Sequence, residues 1–280
     1  IYVADPLSTI STAYKNSTVR LLSDLMEKRG RSLIVSRTST LDLADGRLPA
    51  VLENKLAGGV FLYNLVEDYH IQYMRNIGIP VVVIGNRPIY LPASKVTVDY
   101  RSVAYNATRA LLDGLSGTVH LLTAPFIVYY EQQILEGYLQ ACHDAGRETN
   151  IVMYDYTQRD AARLRDAISS INDDSALLLN YNIGYMLGGN DQVFPLDLRN
   201  LRAVAFGSYE GISPSILRRL NVGSLSSGLS EEAAAELMDE AIAGAEPREI
   251  VFVPEVSMYE EDGIFRIDIR LVRSDKPIID

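Results

Sequence analysis

Residues 79–114 read IPVVVIGNRPIYLPASKVTVDYRSVAYNATRALLDG, and this stretch determines how the rest of the chain is interpreted. The apolar, β-branched run at residues 81–84 is typical of a strand in a parallel sheet that is covered on both faces. A polar loop follows that begins with Asn86, then a second strand at residues 96–98, then Asp99 and an amphipathic helix. Open α/β sheets bind ligands in loops at the carboxyl ends of their strands. We therefore expect a ligand-binding loop here, and a passage from one lobe to another near Asp99.

Strands and helices alternate on both sides of this stretch. Strands are expected at residues 1–4, 32–36, 59–63, 119–123, 151–154, 176–179, 203–206 and 249–253, with apolar residues at helical spacing between most of them. This alternation predicts parallel sheets joined by right-handed crossovers, and its restart after residue 114 predicts an α/β protein with two Rossmann-like lobes. We place residues 1–98 with 227–253 in the N-terminal lobe, and residues 99–226 with 254–280 in the C-terminal lobe.

Composition narrows the class of protein. The chain has 280 residues and a net charge of -10, and such a surface repels phosphate backbones, so this segment by itself is not expected to bind nucleic acid. Its one cysteine, Cys142, excludes an internal disulfide framework and lies in an apolar helical run, where we expect a buried thiol. No run of about 18 apolar residues and no signal peptide are present, so we expect a cytoplasmic protein with no membrane partner.

No pattern of catalytic residues is found. The three histidines, His70, His120 and His143, have no cysteine, histidine or carboxylate at ligand spacing. The sequence has no G-x-S-x-G elbow, no P-loop and no G-x-G-x-x-G after the first strand. We therefore expect no metal, no cofactor and no catalytic residue, which favours a binding protein over an α/β enzyme.

Tyrosines and small polar residues gather near the predicted strand ends. The chain has 17 tyrosines and no tryptophan. The residues in such positions are Asp5, Tyr14, Tyr63, Asn64, Asn86, Arg87, Tyr130, Tyr156, Asn180, Tyr181, Asn182 and Ser208, and Tyr14 is expected in a Ser/Thr-rich loop at residues 7–14. Because the carboxyl ends of parallel strands share one edge, these groups could stack on and hydrogen-bond a small polar ligand. The alternative for part of the tyrosines is packing between the lobes.

The order of these segments resembles the effector-binding domain of the LacI/GalR family of bacterial transcription regulators. The pieces that carry the resemblance are IYVADP, KLAGGVFLY, IPVVVIGNRP, VTVDYRSVAYNATRALLDG, ILEGYLQACHDAG, YDYTQRDAARLRDAI and AFGSYEG. The resemblance implies the periplasmic-binding-protein type I fold, with crossings between lobes after Asp99, near residues 224–228 (which include Ser226) and near residues 253–257. It also implies an effector in the cleft between the lobes. An N-terminal helix-turn-helix, which is absent from this sequence, would couple that effector to operator DNA.

Several pocket positions depart from the family pattern. Ile134 stands where the family usually has an arginine, Tyr181-Asn182 where it has an Asn-Asp pair, and Ser208 where it has an acidic residue. Tyr14 and Tyr156 keep the aromatic residues that the resemblance places there. The pocket thus exchanges charge for neutral polar and aromatic groups, which argues against a strongly charged effector. The ligand-binding residues expected from these considerations include Ile134 and Ser226.

Two binding functions remain open from the sequence. One is the effector-binding and dimerising domain of a regulator, since two-fold symmetric operators are matched by dimers. The other is a periplasmic solute-binding protein of a sugar-type transporter, which has the same fold. Residues 257–272 read as a hairpin that either completes the second lobe's sheet or extends a dimer contact.

Overall fold

A computed structural model describes residues 2–4, 12–36, 58–63, 67–123, 129–153, 166, 171, 174–179, 202–206, 222–223, 229–261 and 264–276. The chain divides into two compact units. The first contains Ile1–Val98, Gly228–Phe252 and Arg273–Asp280, and the second contains Asp99–Ser227 and Val253–Val272. None of the helices among the described residues is long and apolar enough to cross a membrane.

The described elements follow in chain order. The strands are β1 (Tyr2–Ala4), β2 (Ile34–Ser36), β3 (Val60–Tyr63), β4 (Val81–Ile84), β5 (Ser94–Val98), β6 (Val119–Thr123), β7 (Asn150–Met153), β8 (Ala176–Leu179), β9 (Arg202–Ala205), β10 (Val222–Gly223), β11 (Glu249–Glu261) and β12 (Ile264–Lys276). The helices are α1 (Thr12–Glu27), α2 (Asp68–Asn76), α3 (Tyr100–Leu112), α4 (Tyr129–Asp144) and α5 (Leu229–Ile242).

The first unit contains a sheet in the order β12-β11-β5-β4-β3-β1-β2. Strands β1 to β5 pair in parallel, and β11 joins them in parallel through the pairs from Glu249↔Lys95 to Phe252↔Val98. All four residues of β4 are buried, as expected for a strand covered on both faces. Leu22 and Met26 of α1 and Met238 of α5 add to the same unit's core.

The second unit contains a parallel sheet in the order β10-β9-β8-β6-β7. Its central strand β8 is buried throughout, and α3 contributes a buried stripe of small and apolar residues that includes Val103, Ala107 and Leu111. Helix α3 packs closely against α4. Cys142 on α4 is fully buried, as the sequence predicts, and burial raises the pKa of its thiol.

Three local expectations are corrected. Tyr14 lies inside α1 and not in a loop, because the helix begins at Thr12, well before the first apolar residue of its periodic stripe. Ser230 followed by Glu231 and Glu232 predicts a helix with Ser230 as its N-cap, but α5 begins at Leu229, and the Ser230 hydroxyl donates to Glu231 at 2.8 Å. The C-terminal residues from Arg273 onward belong to the first unit, because β12 runs back beside the part of β11 that pairs with β5.

Strand β11 is longer than expected. It continues from Glu249 through Pro254 to Glu261, so the expected strand and the first arm of the expected hairpin are one element. Proline has no N–H to donate, so its presence in the sequence suggests a strand end where the structure has none. Apolar residues at helical spacing predict two further helices, at residues 48–56 and 159–171, and Asp-Gly at residues 262–263 predicts the turn of the hairpin. These segments lie outside the described residues apart from positions 166 and 171.

Candidate functional site

Asn86 lies directly beyond β4 at the carboxyl edge of the first unit's sheet and extends the pairing between β4 and β5. Its side-chain Oδ1 accepts a hydrogen bond from the Val98 N–H at 3.2 Å, and its Nδ2 donates to the Val98 carbonyl. The amide thereby acts as an additional peptide group in the ladder. An aspartate or leucine of similar size could not both donate and accept. Asn86 therefore fixes the start of the loop that the sequence predicts to be ligand-binding.

Arg87 is held by an ion pair with α2. Its Nη2 lies 2.7 Å from Glu67 Oε1, and Glu67 is the N-cap of α2 and forms a capping box with His70. The Lys95 ammonium donates to the Arg87 carbonyl at 2.9 Å, and burial lowers the pKa of Lys95. A guanidinium has five N–H donors and the ion pair with Glu67 uses one of them, so Arg87 can still donate to a ligand.

The far end of the same loop is fixed by Asp68, the first residue of α2. Its Oδ1 accepts hydrogen bonds from the backbone N–H groups of Tyr90 and Leu91 at 2.8 and 3.0 Å. The loop is thus tied to β5 at one end and to α2 at the other. Such ties hold the polar groups of the edge in place before any ligand arrives, which lowers the entropic cost of binding.

The corresponding edge of the second unit carries aromatic rings at two helix starts. Asp99 is the N-cap of α3, accepting from the Ser102 N–H at 3.0 Å and from its hydroxyl at 2.7 Å. Tyr100 and Tyr130, in the first turns of α3 and α4, have ring centroids 5.5 Å apart at an interplanar angle of 44°. The tilted pair offers ring surface and two phenolic hydroxyls next to helix N-termini, where partial positive charge favours electronegative groups.

Ile134 lies one turn beyond Tyr130 and is fully buried in the core of the second unit. The side chain has no exposed surface, so a residue at this place acts on a ligand only through the helix that it anchors. Thr123, at the end of β6, and Glu131, in the first turn of α4, are also buried. The described part of this edge therefore presents the tyrosines, with the buried side chains of Ile134 and Glu131 behind them.

The structure explains why the glycine–tyrosine pair occurs on α4. A Cβ atom on Gly137 would lie 2.2 Å from the Arg101 carbonyl oxygen and 2.9 Å from the Tyr105 nitrogen, so only glycine lets α3 approach this closely. Tyr138 is buried, and its hydroxyl donates to the Val119 carbonyl at 2.8 Å and accepts from the Asn150 N–H at 2.7 Å. Both residues support the helix starts that carry Tyr100 and Tyr130.

The structure places six of the residues predicted to bind a ligand. Asn86, Arg87 and the last residue of β3, Tyr63, lie at the carboxyl edge of the first sheet, and Tyr130 lies at that of the second, with Ile134 behind it. Tyr14 is in the first turn of α1. The remaining residues, Asp5, Asn64, Tyr156, Asn180, Tyr181, Asn182, Ser208 and Ser226, lie outside the described residues.

Two residues of these edges are not identified as site residues by the sequence analysis. Tyr100 directly follows Asp99, so the strand-to-helix boundary is a signal that could have found it. Glu67 holds Arg87 across 20 residues of chain, and no local pattern connects them. The described residues contain no cluster of three or more His, Cys, Asp or Glu side chains arranged to hold a metal ion.

Solved structures with the same fold cover almost the whole chain. A LacI transcriptional regulator from Lactobacillus brevis matches with a TM-score of 0.69 and 18% identity over 90% of this chain and 98% of that one. A regulatory protein of the LacI family from Chloroflexus aggregans matches with a TM-score of 0.70 and 13% identity over 91% of this chain and 96% of that one. The Cra transcriptional dual regulator from Pseudomonas putida, in complex with fructose 1-phosphate, matches with a TM-score of 0.61 and 18% identity. The match covers 100% of this chain and 99% of that one.

These likenesses confirm the fold predicted from the sequence, an α/β fold with parallel sheets that solved LacI-family regulators share. No family model and no curated protein matches the sequence.

Proposed function

We propose that this chain is the effector-binding and dimerising domain of a LacI-type transcriptional regulator, and that it senses a small polar ligand. The observation that carries the proposal is the pair of carboxyl edges, which present polar side chains held by hydrogen bonds and an ion pair in the first unit and tyrosine rings in the second. The solved structures named above, which share this fold, are transcription regulators. The similarity to these regulators favours a regulator over a solute-binding protein of a transporter and over an enzyme. Operator DNA would be bound by a helix-turn-helix outside this sequence, and two copies would match a two-fold operator.

The proposed ligand is neutral, such as an uncharged sugar or another small polar metabolite. Two charged groups of the described edges are already engaged within the protein: Arg87 is paired with Glu67, and Asp99 accepts hydrogen bonds from the N–H and hydroxyl of Ser102. A strongly charged ligand would lose its hydration shell without gaining an uncompensated partner. Tyrosine rings and neutral amides suit a ligand with apolar faces and hydroxyl groups. Asp5, Tyr63, Asn64, Tyr156, Asn180, Tyr181, Asn182, Ser208 and Ser226 are proposed as further contacts, and no cofactor is proposed.

The test is a thermal-shift screen of neutral sugars, nucleosides and small metabolites against the wild type. A ligand at a concentration of about 100 times Kd stabilises the native state by about 2.7 kcal/mol, which is a shift of several degrees. Tyr130→Ala and Arg87→Ala are then expected to reduce the shift for any compound that stabilises the wild type. Isothermal titration calorimetry with the same compound gives the loss of affinity directly.

The matched controls are Tyr105→Ala and Arg109→Ala. The Tyr105 hydroxyl donates to Asp144 at the C-terminal end of α4, and Arg109 is exposed in the last turn of α3, so both lie away from the helix starts that carry Tyr100 and Tyr130. These controls are expected to bind the ligand as the wild type does. If Tyr130→Ala and Arg87→Ala also bind with unchanged affinity, the residues proposed for the site are wrong. If only anionic compounds stabilise the protein, the proposed ligand class is wrong.

A further inference from the structure

A cleft of about 890 Å³ lies in the second unit, at the C-terminal ends of α3 and α4. Among the described residues, it is lined by the second half of α3, by residues that directly follow α3 and α4, and by Val256 and Met258 of β11. Its volume is within the range of about 300–1,000 Å³ that is usual for small-molecule sites. Helix α3 has 13 residues and rises about 1.5 Å per residue, so its two ends are about 20 Å apart. The cleft is therefore separate from the helix starts that carry Tyr100 and Tyr130.

Two arginines line this cleft. Arg147 is half-buried, and its Nη2 donates to the Leu115 carbonyl and, at 3.1 Å, to the Gly117 carbonyl. These bonds fix the guanidinium and leave its Nε–H and its two Nη1 N–H groups as donors. Arg109 is exposed, and within the described part of the chain its guanidinium donates to no protein acceptor. Guanidinium groups with free N–H donors are well suited to hold a carboxylate.

One carboxylate belongs to the same lining. Asp113 is the C-cap of α3 and follows Arg109 by four residues, a spacing that places two Cβ atoms of a helix about 5–6 Å apart. The C-terminal end of a helix carries partial negative charge, so an acidic side chain there gains from a cation placed beside it. Arg202 donates to the backbone carbonyl of Asp113 at 2.7 Å, which engages the main chain and leaves the carboxylate able to accept from a ligand.

The charged groups of the cleft adjoin an apolar surface. Asn106, on the same face of α3 as Ala110 and Asp113, adds an amide that both donates and accepts. The apolar lining consists of Ala110, Leu112, Leu115, Ala145, Val256 and Met258.

This combination of charges matches a zwitterion. A ligand with only a negative charge would pair with the arginines but would bring that charge close to Asp113, and a ligand with only a positive charge would meet the arginines. An α-amino acid carries its ammonium and its carboxylate on one carbon atom, so neighbouring side chains of opposite charge can hold both. An apolar side chain on that carbon could then leave water by packing against the apolar lining.

We propose that this cleft is a second ligand site, distinct from the effector site, and that it binds an apolar α-amino acid. Arg109 and Arg147 hold the carboxylate, Asp113 holds the ammonium, and the apolar lining receives the side chain. The cleft is larger than one amino acid requires, so the ligand occupies the part beside α3 that carries Arg109 and Asp113. The site belongs to the second unit alone and requires neither effector nor DNA.

The experiment is isothermal titration calorimetry of the full chain with L-leucine and two analogues that each lack one charged group. 4-Methylpentanoate has the same carbon skeleton without the ammonium, and 3-methylbutylamine has it without the carboxylate. L-leucine is expected to bind, and each analogue to bind about tenfold more weakly or less, because each loses one hydrogen-bonded charge pair. Glycine, which lacks the apolar side chain, is also expected to bind more weakly than L-leucine.

The test variants are Arg109→Ala and Asp113→Asn. Arg109→Ala is expected to weaken the binding of L-leucine by about tenfold or more, because the carboxylate loses a charged partner. Asp113→Asn is expected to weaken L-leucine similarly but not to weaken 4-methylpentanoate, which has no ammonium to lose. The backbone bonds of Asp113 to Arg109 and Arg202 remain in this variant. Far-UV circular dichroism checks that both variants are folded.

The matched controls are Arg75→Ala and Asp24→Asn, which make the same chemical changes at exposed positions of the first unit. Both are expected to bind L-leucine as the wild type does. Charges on an exposed helix face are often only solvated, and the absence of L-leucine binding at about 10 mM would support that reading and overturn the proposal. Equal binding of L-leucine and its two analogues, or unchanged affinity in both test variants, would overturn it as well.

The two proposed sites can fail independently. L-leucine is kept apart from the effector screen, in which Arg109→Ala is expected to respond as the wild type does because Arg109 lies away from the effector site. Loss of the response to neutral ligands in that screen would overturn the proposed function and leave the L-leucine result standing. Binding of L-leucine that is lost in Tyr130→Ala and retained in Arg109→Ala would overturn the second site, since L-leucine would then occupy the effector site.

Discussion

The hydroxyl of Tyr138 satisfies two backbone groups of the second unit, and this makes a residue-scale prediction possible. Replacement by phenylalanine leaves the Val119 carbonyl and the Asn150 N–H without their bonds of 2.8 and 2.7 Å. Tyr138→Phe is therefore expected to lower the free energy of unfolding by about 1–3 kcal/mol, measured by urea denaturation. Burial raises the pKa of Tyr138, so the phenol remains neutral and the loss should not depend on pH near neutrality.

Tyr105→Phe is the matched control for this change. The Tyr105 hydroxyl donates to Asp144 at 3.1 Å on the protein surface, where water can replace the lost bond. Its effect is expected to stay within about 0.5 kcal/mol. Equal losses in the two variants would mean that the buried hydrogen bonds of Tyr138 do not contribute as proposed.

At the scale of elements, the contact between α3 and α4 depends on the missing side chain of Gly137. A Cβ at this position would come within 2.2 Å of the Arg101 carbonyl oxygen, which is backbone and cannot move without shifting α3. Gly137→Ala is expected to destabilise the protein by about 1–3 kcal/mol through overpacking, although alanine favours the helix itself. The measurement is the urea midpoint, with Gln132→Ala on the exposed side of α4 as the control. If Gly137→Ala is instead more stable than the wild type, α3 and α4 accommodate the added Cβ without a loss of stability, and the expected overpacking is wrong.

The sequence predicts elements well where a local pattern determines them. The run at Val81–Ile84 and the boundary at Asp99 are found in the structure as predicted, because burial on both faces and N-capping leave clear local signatures. Contacts between distant residues leave none. The ties of Arg87 to Glu67 and of Asn86 to Val98 set the shape of the candidate site, yet the partners are 20 and 12 residues apart. Pro254 misleads, since its missing N–H suggests a strand end, yet β11 continues through it to Glu261.

At the scale of the whole molecule, each of the two units is built from separate segments of the chain, so the units do not simply follow one another in sequence. The chain passes between them after Val98, Ser227, Phe252 and Val272, and β11 and β12 each contribute residues to both. Unfolding of either unit would remove part of two strands from the other. A change at the edge of one sheet is therefore linked through continuous backbone to the other unit.

This shared chain predicts cooperative unfolding of the two units. Leu121→Ala deletes a fully buried side chain of β6 in the second unit and is expected to cost about 2–5 kcal/mol. In native-state hydrogen exchange, the slowest amides of β4 in the first unit should lose as much protection as those of β8 in the second, because both exchange through the same global opening. Leu139→Ala, at a side chain that is 38% exposed on α4, should change both far less. Protection lost in β8 alone would mean that the second unit unfolds separately, and the strands they share would then not couple the two units.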